Sequence, residues 1–442
     1  MRTSIALCVC LLYASAWGQE ERAVDNFSGV GVRAMGMGGA FAGVADDFTA
    51  VYWNPAGLAQ IRQREVYVGF QRNSRDSQSV FNGSQGNSKL SNTRFGSLGF
   101  VYPYPVHTGS LVFAVGFNRV KDFDWNLNQR GFDESDSLLT NHLFQHEGEL
   151  ALSSLAAAVD VSPSISLGLT LGLSGGEDES SNEFSWSDRD NFFQERRFLA
   201  TDTFSDDYGR TWYATLGAMV RSPRARPRLR MGATISTGLG QGVRYAYRGS
   251  PDGYNRIDYD DGTVAVATNE EIRGRYEIAL PFEFGVGGSY VPIPGLLLAA
   301  GAHFAEWSQS EYEGGDDQSL RADTSFERQY RDVVRYHMGV EWQVPAVALD
   351  LRAGFYTDPL PFVGPRDPDP FSGDPPIRLV EDRRFITLGV GLLVDEVIQL
   401  DLAWVRGHFE QVEESFDAAQ TLNTLREENT ITRVLLGIAY RF

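Results

Sequence analysis

From Arg64 to Phe442 the chain repeats one kind of segment, roughly ten to fifteen residues rich in Val, Leu, Phe, Tyr and Gly, in which apolar side chains alternate with polar or small ones. In the last of these, Thr432, Val434, Leu436, Ile438, Tyr440 and Phe442 share one face, while Arg433, Gly437, Ala439 and Arg441 share the other. Likewise Val334, Tyr336, Met338, Val340, Trp342 and Val344 oppose Arg335, His337, Gly339, Glu341 and Gln343, and Leu349, Leu351 and Phe355 oppose Asp350, Arg352 and Gly354. A period of two belongs to extended strands, and no helical period is sustained anywhere after Arg64.

The pattern predicts fourteen strands, centred on residues 66–71, 95–101, 111–118, 150–159, 166–173, 212–220, 230–239, 278–290, 296–307, 333–344, 347–356, 385–394, 398–407 and 431–442. Their connections alternate in kind. One set is short and mostly proline-marked: "YPYPVHTGS", "SPSI", "SPRARPR", "VPIPG", "VPA" and "VDEV". The other is long, polar and acidic, and is read as loops over 72–92, 121–148, 175–210, 249–273, 308–332, 359–383 and 408–430.

An even number of antiparallel strands, with short turns at one end and long connections at the other, is the pattern of an outer-membrane β-barrel. Charged residues on the inner face would be costly in a dry sandwich core but are ordinary in a hydrated lumen. Tyr290, Trp342, Trp404 and Tyr440 near strand ends suit interfacial girdles, and the final Phe442 suits the terminal aromatic that many such barrels carry. The competing architecture is a large secreted β-protein with half-polar sheets. The fold class expected is therefore all-β, a fourteen-stranded antiparallel transmembrane barrel.

Arg2, the apolar run from Ile5 to Ala14, and small residues around Ala16 and Gly18 read as an export signal, residues 1–18, with cleavage after Gly18. Both cysteines, Cys8 and Cys10, fall inside it, so the exported chain would hold no disulfide and no thiolate chemistry. A formal charge of −19 argues against nucleic acid or an anionic lipid surface as the main partner. Residues 19–63 are then left over before a barrel of residues 64–442. They include "GMGGAFAGVADDFTAVYWNPAGLA" from Gly36, in which glycines surround the acidic pair Asp46 and Asp47 and a turn at Asn54, Pro55 and Ala56. A wide lumen without an obstruction leaks, so this segment is expected to plug it. Gly36, Gly38 and Gly39 would permit close backbone packing.

The stretch "GVRAMGMGGAFAGVADDFTAVYWNPAGLA" resembles the amino-terminal hatch of the FadL family of outer-membrane transporters for long-chain fatty acids and other hydrophobic compounds. "FAEWSQ" from Phe304, "YRDVVRYHMGVEW" from Tyr330 and "LRAGFYTDPLP" from Leu351 are similar to late strands of that family. The resemblance implies a hatch in the lumen, capture of an amphipathic ligand by extracellular loops, and sideways release beside an inward-kinked third strand. Here that strand is "SLVFAVGFNRVKDF", which makes Gly116, Phe117 and Asn118 the candidates for the kink; close packing of Gly116 on the hatch is the alternative reading.

Other short patterns weigh less. "GVGVRA" at Gly29 follows no strand and opens no βαβ unit, so it is not a nucleotide site. "GLSGG" places Ser174 in a nucleophile-elbow pattern without a strand-to-helix turn, and His142 and His146 lack a third ligand, so neither an enzyme nor a metal centre is expected. The acidic stretches "GGEDESS", "DYDDG" and "GGDDQ" could hold calcium or bridge lipopolysaccharide, or simply be solvated. Phe184, Trp186, Phe192, Phe193 and Phe198 are many aromatics for one polar connection and could form an external greasy groove or pack on themselves. Arg335, Arg352 and Arg433 could pair with a ligand carboxylate or with Glu341, Asp350 and Asp401.

These readings converge on a monomeric, passive outer-membrane transporter of a hydrophobic or amphipathic molecule, foremost a long-chain fatty acid, without a cofactor and surrounded by lipid and lipopolysaccharide. The alternative is a non-transporting barrel that serves secretion machinery as a scaffold or shuttle.

Overall fold

A computed structural model describes residues 27–81, 84–133, 138–222, 228–315, 325–345, 347–364, 377–379, 382–416 and 422–442. The expected export signal and the first residues of the expected hatch, 19–26, lie outside these. Fourteen strands form one closed ring: β1 Glu65–Phe81, β2 Ser84–Tyr104, β3 Leu111–Asp122, β4 Leu138–Ser162, β5 Ile165–Asp188, β6 Glu195–Arg221, β7 Leu229–Ser236, β8 Glu283–Ile293, β9 Leu296–Ala305, β10 Val333–Gln343, β11 Leu349–Asp358, β12 Arg383–Val394, β13 Ile398–Phe416 and β14 Leu422–Arg441. Each strand pairs antiparallel with the next in the chain. The ring closes where β1 meets β14, with Glu65 opposite Arg441 and Phe81 opposite Leu425. Backbone bonds between Arg64 and Phe442, 3.1 and 3.0 Å, finish the seam.

The expected alternation is seen in the side chains. Leu436, Ile438 and Tyr440 are 42–47% exposed on the outside of β14, while Arg433 and Ala439 are buried inside. On β10, Tyr336 and Met338 face out, and Arg335 and His337 face in.

The long connections are a correction. Residues 72–92 are not a loop but the upper parts of β1 and β2, paired from Arg72 with Thr93 to Phe81 with Ser84. Residues 175–210 are likewise mostly strand, since β5 continues to Asp188 and β6 resumes at Glu195. The reason is physical. Ladder hydrogen bonds persist wherever neighbouring strands persist, but where water reaches the outer face no apolar alternation marks the strand in sequence.

The N-terminal segment packs inside the ring. It consists of α1 Val32–Gly36, α2 Ala50–Trp53 and a 3-10 turn Pro55–Gln60, too short to be stable alone. Met35, Val44, Phe48 and Leu58 are fully buried against the wall. At its turn the Asn54 Oδ1 accepts from Ala56 N at 3.1 Å, with Pro55 in the first helical position. Asn54 Nδ2 donates to the carbonyls of Ala42 and, on β6, Ala218.

Candidate functional site

Inward glycines make room for the N-terminal segment around most of the ring. Gly99 and Gly116 face the ring of Phe48, Gly168 and Gly217 face Asn54–Ala56, Gly232 faces Ala42, Gly339 and Gly354 face Met37 and Gly38, and Gly389 faces Gly36. At each, a methyl group would fall within about 3.3 Å of that segment. Gly38 and Gly39 also carry positive φ of 66° and 72°, which only glycine adopts freely.

On the short-turn side the segment is held by ions. Arg33 forks onto both oxygens of Glu341, at 2.7 and 2.8 Å, and reaches Asp46 at 2.5 Å. Asp46 also accepts from Arg230 at 2.9 Å. Glu341 is shared with Arg352, which pairs in turn with Asp401 at 2.6 Å and Asp350 at 3.2 Å. Burial alone would raise the Asp46 carboxyl, but Arg33 and Arg230 outweigh it and hold it well below the usual range. Neighbouring Asp47 differs: burial pushes it up to about 6 against the pull of Arg33, and Glu65 adds to the push. Beneath lies a cavity of about 690 Å³ lined by Arg33, Asp46, Asp47, Glu65 and Arg441.

On the long-hairpin side the segment is held by Arg433, which donates to the carbonyls of Phe27 and Ser28 at 2.7 and 3.1 Å. Asp358 accepts from Phe27 N at 3.2 Å. The His337 Nδ1 donates to the Gly38 carbonyl at 2.8 Å, which leaves its Nε2 to accept from His303 Nδ1 at 3.2 Å. Of the three candidate ligand arginines, Arg433 is thus occupied in holding this segment, and Arg352 in pairing with the wall carboxylates Glu341, Asp350 and Asp401.

Above the segment sits a smaller cavity of about 100 Å³, walled by Phe27, Tyr52, Trp53, Leu152, Tyr213, Phe284, His303, Trp307 and Arg335. Arg335 donates through Nε to Asp358 at 2.8 Å. Its Nη2 and the Trp307 Nε1 are both buried without a hydrogen-bond partner. Two unpaired donors in an aromatic chamber can receive an acceptor atom of a guest molecule. Trp307 and Tyr52 were not singled out from sequence, because a tryptophan in "FAEWSQ" carries no mark of what it faces.

β3 loses its alternation at the three expected positions. Gly116 and Phe117 are half-buried, and Asn118 through Lys121 are all buried. Pairing with β2 ends at Ser97 with Asn118, and the register against β4 shifts between Arg119 and Lys121. Beyond that point, side chains span the gap, as Arg94 and Asn92 do to Asp124 at 2.6 Å.

The aromatic candidates sit on the upper parts of β5 and β6 or the turn between them. Phe184, Trp186 and Phe198 are buried in one cluster with Leu138 and Ile257, Trp186 stacked on Phe198 at 5.6 Å. Phe193 packs against this cluster, and Phe192 is 58% exposed. Ser174 lies within β5, donating to the Thr211 carbonyl. His146 meets Asp178, and His142 meets Asn182. Among the described residues no three His, Cys, Asp or Glu side chains gather as metal ligands.

Residues 233–442 match the family described as "Outer membrane protein transport protein (OMPP1/FadL/TodX)". Over that stretch, just under half of the chain, the sequence is similar to the FadL/TodX family. The wall is therefore a multi-pass barrel of the Gram-negative outer membrane, with the short turns periplasmic and the long hairpins extracellular. No curated protein matches the chain in sequence. Solved structures match in fold: the toluene transporter TodX of P. putida, 12% identical over 94% of this chain and 99% of that one, with a TM-score of 0.62; a Pseudomonas aeruginosa FadL homologue, 14% identical over 95% and 99%, TM-score 0.62; and the Ralstonia pickettii toluene transporter TbuX, 12% identical over 94% and 99%, TM-score 0.55.

Proposed function

We propose that this FadL/TodX-like barrel passively carries compact apolar or amphipathic molecules across the outer membrane. The N-terminal segment acts as its hatch, the aromatic cavity as its lumen site, and the break in β3 as its lateral exit. The observation that carries this reading is the cavity itself: a largely aromatic chamber on the extracellular side of a buried partition, whose lining residues Arg335 and Trp307 each carry a buried donor without a partner. Burial of a guest there would be driven by roughly 25 cal/mol per Å² of apolar surface. No nucleotide or redox chemistry is needed for downhill transfer.

Size narrows the substrate. A cavity of about 150 Å³ holds benzene; at about 100 Å³ this one admits a ring-sized body only after a small shift of its walls. A long-chain fatty acid shares the head-group chemistry, a carboxylate against Arg335, but its tail would have to displace Phe27 or Tyr52. The toluene transporters among the similar folds support the smaller guest.

The test is uptake of labelled toluene, benzoate and oleate by cells that express this protein and lack other barrels of the family. Faster uptake of the compact compounds, reduced when Val120 is deleted so that β3 runs straight, is the expected result. Oleate uptake alone would return the fatty acid as substrate. No uptake of any of the three would overturn the transporter reading.

A further inference from the structure

The wall has a second discontinuity, away from β3. β6 pairs with β7 from Thr215 to Arg221, and higher up it pairs through Thr203–Tyr208 with the ribbon Gln241–Gly249. Between these ladders, Gly209–Tyr213 face Gly238–Gly242 without ladder pairing. Only the bonds between Ala214 and Thr237, both 2.9 Å, close the lower edge. At about 3.3 Å per residue the unpaired stretch is on the order of 15 Å long.

A cavity of about 510 Å³ occupies this gap, lined by Gly209, Thr211, Gly240, Gly242, Ile278 and Phe282 among others. Thr237 borders both it and the lumen cavity, whereas Leu239 lines only the lumen cavity and Gly238 and Gly240 only the wall cavity. The two cavities therefore adjoin at Thr237, along the segment Thr237–Gln241. Gln241 is 2% exposed and lines the wall cavity; its Nε2 is held by Ser174 and the Leu239 carbonyl, while its Oε1 has no partner.

The gap is also at a useful height. Thr237 stands about as far from the periplasmic turns as Asn118 does on β3. The outer surface around it is apolar: Trp212 is 74% exposed, Leu216 56%, and Phe282 54%.

We infer that the opening between β6 and β7 is a second lateral port, through which an apolar guest passes between the outer leaflet and the lumen cavity when Thr237–Gln241 shifts. This rests on the transporter reading above. Glycine at alternate positions of "GLGQG" leaves the port side of the partition with few side chains and the backbone free to move. The unpaired Gln241 oxygen gives the passage one polar contact.

Gly242 supplies the test, because a Cβ there would meet nothing within 4 Å. The variant Gly242→Cys can be folded first and then labelled with a methyl-sized or a benzyl-sized thiol reagent, since the only native cysteines, Cys8 and Cys10, precede the expected cleavage site. Toluene uptake should fall three- to tenfold with the benzyl label and hardly change with the methyl one. When Val120 is also deleted, the residual uptake should vanish under the benzyl label. Uptake that ignores the benzyl label in both backgrounds would overturn the port and leave the transporter reading intact. An absence of uptake in the unmodified protein would overturn the transporter reading instead.

Discussion

The ring of Phe48 lies where a side chain on Gly116 would begin, with its Cζ 2.2 Å from the position a Cβ would take. Both readings of Gly116 therefore meet at one residue. It is where β3 loses alternation, and it is also where the N-terminal segment presses on the wall. Replacing Gly116 by Ala should unseat Phe48, at about 1–3 kcal/mol for an overpacked core. Thermal unfolding in detergent should start earlier, and single-channel conductance in planar bilayers should rise. Phe48→Ala in the same chain should restore much of the loss; no rescue would show that the strain lies elsewhere.

Arg33 and Glu341 form the fork that ties the N-terminal segment to β10. With Glu341→Gln, the guanidinium keeps Asp46 but loses a charged partner, and Arg352 loses one too. Hydrogen bonds to charged groups are worth about 1.5–3 kcal/mol, so a flickering open pore is expected, seen as brief conductance bursts. A closed trace identical to the parent would refute the anchoring role.

Asp47 predicts a pH dependence. Its folded value of about 6 lies above the ordinary 3.8, so the docked segment favours the protonated acid. The contribution of Asp47 to the docking of the segment is then full below pH 4, falls as pH rises from about 4 to 6, and stays at its lower level above that. Two units correspond to about 3 kcal/mol. Thermal midpoints measured from pH 4 to 7.5 should fall across that window, and Asp47→Asn should flatten the curve. A midpoint that climbs with pH would contradict the assignment.

Arg335 and Trp307 make a prediction about selectivity. Arg335→Met leaves Asp358 its second partner, Arg383, at 3.0 Å, so the wall should survive. Benzoate uptake should drop about tenfold in Arg335→Met and by less in Trp307→Phe, while toluene uptake should hold. Equal losses for both compounds would mean that the residues shape the cavity without recognising a head group.

The barrel was legible because lipid enforces the period of two: Leu436, Ile438 and Tyr440 had to be apolar, and Arg433 had no such constraint. The turn of the N-terminal segment was legible through Asn54 and Pro55. The receiving glycines were not. Gly168, Gly217 and Gly232 look like ordinary small residues on a lumen face until the opposing atoms are known. The upper strands escaped notice for the opposite reason, since with water on their outer face they carry no apolar alternation to read. Arg352 and Glu341 were recognised as possible partners, but the third member, Arg33, lies more than three hundred positions away in the chain, and only folding brings them together.

The seam between Arg64 and Phe442 has a bearing on assembly. A cylinder whose first stave is locked by its last cannot exist as a sealed vessel until the final residues have been zipped. The core it encloses is made before any of the staves and touches strands all the way round, so it is placed to serve as the former on which the cylinder is wound.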